Sequence, residues 1–127
     1  MPLLAQLGIV ELTIGVLSGW VMVLMVESPE GLLRMGVRHP GRIRQAHLDV
    51  LFQGVILVAV GLAVDPLPTW IGILLVQGAF LAPLLLGVLA FNGKLQKGST
   101  PYRALNTIVL IGFTAGWVAL AVTALGR

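Results

Sequence analysis

Four long apolar runs, separated by three polar connections, set the pattern of the chain. Residues 3–26, 45–64, 68–91 and 104–125 each supply about the 20 apolar residues that a helix needs to cross the hydrocarbon core of a bilayer. The expectation is an all-α membrane protein, a four-transmembrane-helix bundle formed as one domain over residues 1–127. The first run has neither a basic leader nor a small-residue cleavage pattern, so it reads as a first membrane helix and not as a signal peptide.

The connections differ in kind. Pro66 and Pro68 punctuate a very short second connection, which predicts a tight hairpin of spans two and three. The first connection, residues 27–43, is the longest. Its Ser28-Pro29-Glu30 resembles a helix start and predicts a short interfacial helix. The third, residues 92–101, carries ordinary turn residues, Asn92-Gly93 among them. Gly15-Val-Leu-Ser-Gly19 and Gly112-Phe-Thr-Ala-Gly116 let helix backbones approach closely, within the bundle or between copies.

Composition agrees with this pattern. Of 127 residues, 57% are hydrophobic and only 10% charged, against roughly a quarter charged in soluble domains. A net charge of +3 does not point to nucleic acid, because the basic residues gather in two short connections. Arg34, Arg38, Arg42, Arg44, Lys94, Lys97 and Arg103 flank one face, and Arg127 alone lies at the other. By the positive-inside rule that face is expected to be cytoplasmic, with both termini outward; a bacterial inner membrane is the expected location. The chain has no cysteine, which excludes disulfides, a thiolate nucleophile and an iron–sulfur site.

Polar residues inside the spans are the candidates for chemistry. Glu11 lies about two turns into span one, either as a functional carboxyl or as a hydrogen-bonded one near the outer interface. Gln77 reads as interhelical glue, and Asn106 and Thr107 as satisfying the free amides that open span four. Trp70 fits the interfacial aromatic belt, Met22 and Met25 fit core filling, and His39 fits a solvated loop.

His47 stands out. It is followed by Asp49, Gln53 and Gly54 near the cytoplasmic end of span two. Gly54 is seven residues on, on nearly the same helix face, where a missing side chain leaves room for a flat ligand. Gln53 lies about 120° around the helix, so a ligand touching both it and His47 needs a groove or a second subunit. A plain interfacial histidine bonded to a carbonyl is the competing reading.

The run Ala46-His47-Leu48-Asp49-x-x-x-Gln53-Gly54, opening the second of four spans, resembles the hydroxylaminobenzene mutase and styrene oxide isomerase group of small four-helix membrane proteins. The resemblance covers the four-span layout and one motif of about nine positions. It implies haem b at a subunit interface of a homo-trimer, with His47 as axial iron ligand and Gln53 in the position of a polar residue near the substrate; by their own spacing, Gly54 leaves room for that cofactor and Asp49 is the second catalytic candidate, placed to orient a neighbouring group. It implies an isomerase for small hydrophobic epoxides or arylhydroxylamines, acting by Lewis-acid catalysis at ferric iron without net redox change. Two departures move the expected substrate away from styrene oxide itself. Gln53 stands where the group has asparagine, and the only tyrosine, Tyr102, lies in the loop before span four instead of in span three.

Two other readings compete. One is a proton-coupled exporter like the small multidrug transporters, with Glu11 as coupling group, although spans two and three lack the aromatic lining expected for cationic drugs. The other is an accessory subunit of a larger membrane complex, which the glycine patterns suit.

Overall fold

A computed structural model describes residues 1–126, with the side chains of all but residues 96 and 97. Arg127 and the Lys97 side chain, which enter the charge pattern above, lie outside the described residues. The elements run α1 (Leu3–Glu27), α2 (Pro29–Arg34), α3 (Pro40–Ala63), α4 (Thr69–Phe91), α5 (Leu95–Gly98) and α6 (Thr100–Leu125). Helices α1, α3, α4 and α6 are long and apolar enough to span a membrane, as the hydrophobic runs predict. Among the described residues there is no strand.

Two helices begin earlier than their apolar runs. Apolarity marks the part that lipid can surround, whereas the backbone starts where a cap or proline allows. Pro40 sits in the first turn of α3, so the helix opens five residues before the expected 45 and carries Arg42 and Arg44 within it. Ser99 caps α6 by accepting the Tyr102 amide at 3.3 Å, and Pro101 occupies the first turn. Asn106 and Thr107 therefore lie inside α6 and do not cap it. The Thr107 hydroxyl instead donates to the Arg103 carbonyl at 2.8 Å. Tyr102 is likewise helical, and its hydroxyl donates to the Leu85 carbonyl of α4 at 2.9 Å.

The helices pack in the order of the chain: α1 on α3, α3 on α4, α4 on α6. Helix α2 follows Ser28 as the sequence predicts, and seats Leu32 with Val37 against Ala90 of α4. The Arg38 and His39 amides both donate to the Ala90 carbonyl, at 2.8 and 2.9 Å, which ties the first connection to the end of α4. Between α4 and α6, the Gln77 side-chain amide donates to the Val109 carbonyl at 3.0 Å and to Leu74 at 3.1 Å, the interhelical role expected of it. Outward-facing Val16, Trp20, Ile108, Ile111 and Val122 are exposed, in keeping with a surface meant for lipid.

The α1–α3 seam is backbone on backbone. A Cβ on Gly8 would lie 2.7 Å from the Gly54 carbonyl oxygen, one on Gly54 would lie 2.7 Å from Leu12, and one on Gly61 would lie 2.5 Å from the Ala5 amide. On α3 the seam recurs at His47, Gly54 and Gly61, and on α1 at Ala5, Leu12 and Gly19, which face them in antiparallel order. Seven-residue spacing on both helices is the period of left-handed packing. Gly15 meets Leu51, and Gly116 meets Leu74 of α4, so both small-residue patterns are used within the chain. A Gly54→Ala variant should lose about 1–3 kcal/mol of stability by overpacking this seam. Gly41→Ala, with nothing within 4 Å of the new methyl, should leave stability unchanged; unfolding in detergent compares the two.

Candidate functional site

His47 lies about two turns into α3, half-buried on the seam, at the point where α1 presents Ser18 and Gly19. The imidazole Cε1 stands 3.6 Å from where a Gly19 Cβ would be, an ordinary van der Waals distance. The Nδ1 atom is 2.7 Å from the Ser18 hydroxyl oxygen, which is also 2.7 Å from the Gly15 carbonyl oxygen. A carbonyl only accepts, so both contacts are hydrogen bonds together only when the hydroxyl hydrogen goes to Gly15 and Nδ1 donates to Ser18. In the neutral ring this arrangement corresponds to the tautomer with the proton on Nδ1 and the lone pair on Nε2.

A histidine that donates one ring N–H to a fixed acceptor while presenting the other nitrogen bare has the form of an oriented metal ligand. Among the described residues no three His, Asp or Glu side chains converge as a ligand set for a bare metal ion. One imidazole nitrogen is sufficient for an iron whose four in-plane positions a porphyrin fills. Of what a haem site needs, the described residues show at His47 that one nitrogen.

Gly54 does not fit the role expected of it. Its face is the one shared with His47, but that face is the α1 seam, and Leu12 and the Gly8 carbonyl occupy the space a flat ligand would need. Asp49 and Gln53 are brought together, the Gln53 amide donating to an Asp49 carboxylate oxygen at 3.3 Å. They stand on a different face of α3 from His47, about 200° and 120° around it. The structure does not join them to the His47 site within one chain.

Glu11 marks a second centre. Its side chain is 1% exposed, and neither carboxyl oxygen has a hydrogen-bond partner among the described residues. The charged side chain whose field reaches it is acidic, Asp49 of α3. Glu11 borders a cavity of about 440 Å³ between α1, α3 and α4, with Val50, Phe80, Pro83, Gly87 and Phe91 among its walls. Two aromatic rings of span three thus stand in the cavity that holds Glu11, where the sequence reading found no aromatic lining. Pro83 brings no N–H to the helix, so the Ala79 carbonyl loses its usual donor at this level.

Ser18, Pro83, Phe80 and Phe91 were not singled out by sequence reasoning. For Ser18 the signal was faint, a hydroxyl inside a glycine pattern. For Pro83 it was plain, a proline in the middle of an otherwise uniform apolar run. Asn92 has the turn role expected, its side-chain oxygen accepting the Lys94 amide at 3.2 Å.

The His47 tautomer is open to direct measurement. Nitrogen-15 spectra of histidine-labelled protein without added haem should show His47 protonated at Nδ1 alone. Ser18→Ala should mix the two tautomers; a proton on Nε2 in the parent protein would refute the assignment. Compared with known proteins, the chain matches no family model, no curated protein and no solved structure.

Proposed function

We propose that the chain is a haem b protein of the bilayer, with His47 as axial ligand through Nε2, and that it isomerises small hydrophobic epoxides or arylhydroxylamines. The observation that carries this reading is the Ser18–His47 hydrogen bond, which leaves Nε2 as the free nitrogen. A ferric haem held by His47 would supply Lewis acidity toward a substrate oxygen, chemistry that needs no net redox change.

The chain's own residues act around that ligand. Ser18 holds the ring and its tautomer, and the Gly15 carbonyl holds Ser18. Exposed Trp20 and Leu48 flank the seam with apolar surface, across which a hydrophobic substrate arrives from lipid. Asp49 and Gln53 meet a substrate at this centre only from a second copy, which accords with the homo-oligomer, a trimer, that the resemblance implies. The basic connections face the cytoplasm of a bacterial inner membrane and both termini face outward.

A second reading, a proton-coupled exporter, is favoured by one observation: the unpartnered Glu11 carboxyl on a cavity inside the spans. Under it, Glu11→Gln in proteoliposomes abolishes proton-driven flux of a fluorescent organic cation. Equal flux in variant and parent removes it.

The haem reading predicts a Soret band for protein purified from haem-replete cells, and its loss in His47→Ala at equal yield. Protein without the band, or a His47→Ala variant that retains all of it, overturns the reading.

A further inference from the structure

Glu11 takes no part in the His47 centre, yet the fold places it where an ionisable group is costly. In an apolar cavity a carboxyl group has two low-energy states, neutral or ionised beside a cation. Among the described residues no cation is paired with it. Both carboxyl oxygens lack a donor among the described residues, and the charged neighbour, Asp49, has the same sign. Both oxygens are covered in this arrangement, so a ligand that enters the cavity takes up the two unpartnered acceptors as the Glu11 side chain turns toward it.

The walls say what else the ligand must carry. The cavity, about 440 Å³, falls within the range of small-molecule pockets and is walled mainly by aliphatic and aromatic side chains. Phe80 and Phe91 supply ring faces, which attract both flat apolar groups and cations. Leu84 and Phe91 on its rim are 60% and 48% exposed, so the mouth opens sideways to the lipid-facing surface and not along the helix axes. Helix α4 lends Gly87 to the same wall, where the nearest atom to an added Cβ is an Ala46 methyl at 3.9 Å.

We propose that this cavity is a binding site for arylalkyl ammonium ions, the protonated forms of lipophilic primary and secondary amines, with Glu11 as counter-ion. Charge alone does not satisfy the site. Two N–H donors match the two orphan oxygens, so an ammonium that keeps its N–H groups binds better than a quaternary one of the same charge. Entry from the bilayer suits a molecule that partitions there through its ring. This site is independent of haem and does not require transport: a bound amine that is never moved across the membrane leaves the inference standing and removes the exporter reading.

The test uses the purified full chain in detergent micelles, with protein-free micelles as the partition control and 1-naphthylmethylammonium as the fluorescent probe. Its neutral isostere is 1-ethylnaphthalene, and its trimethylammonium analogue keeps the charge but loses the donors. The expected order of affinity is ammonium, then trimethylammonium, then hydrocarbon, with at least about tenfold between first and last, the worth of a charged hydrogen bond. Glu11→Gln should weaken the ammonium at least about tenfold and leave 1-ethylnaphthalene unchanged. Gly87→Leu, which fills the cavity without touching Glu11, should weaken all three probes. The proposal is overturned if the hydrocarbon binds wild type as tightly as the ammonium, if Glu11→Gln retains full ammonium affinity, or if Gly87→Leu changes nothing. Should Glu11→Gln fail to fold, the probe series on wild type and the Gly87→Leu variant still decide.

Discussion

The close approach of α1 and α3 is the constraint on which both centres depend. At Gly8 and Gly54 the two backbones meet with no side chain between them, and Gly61 rests on Ala5 in the same way. Between membrane helices there is little hydrophobic force to draw on, because lipid tails are as apolar as leucine, so van der Waals contact at short range carries the association. Once that distance is fixed, the rest follows by register. Seven residues from Gly54 the seam reaches His47, and the facing helix arrives with Gly19 and the Ser18 hydroxyl. One turn from Gly8 on α1 comes Glu11, turned toward the space beside α4.

The same seam separates the polar groups that the sequence runs together. His47, Asp49 and Gln53 lie within seven residues, yet the helical repeat sends the imidazole to α1 and the carboxylate–amide pair to another face. Asp49 is linked electrostatically to Glu11 and by hydrogen bond to Gln53, while His47 answers to Ser18. A motif contiguous in the chain is two sites in space.

The long-range pattern was legible and the cross-helix partners were not. Four apolar runs of spanning length identify four membrane helices because a bilayer imposes both length and composition. Gln77 was readable as interhelical glue for the same reason: an amide in lipid must find carbonyls. Helix starts were less readable, since at Pro40 and Thr100 caps and prolines begin the helix before the lipid does. Gly54 shows the deeper limit. Periodicity placed it correctly on the His47 face, but nothing in one sequence says whether the room beside a glycine is kept for a ligand or taken by a neighbouring backbone. Ser18 was invisible as a partner because its meaning lies 29 residues away, at His47.

Packing in chain order has a consequence for how the protein is made. Helix α3 docks on α1, α4 on α3, and α6 on α4, so each spanning helix finds its main surface already in the membrane when it leaves the ribosome. No early helix has to wait for a distant later one, and the Glu11 carboxyl is enclosed as soon as the third spanning helix arrives. Biogenesis can then proceed as successive addition at one growing edge, with α6 added after the other three spanning helices and resting mainly on α4.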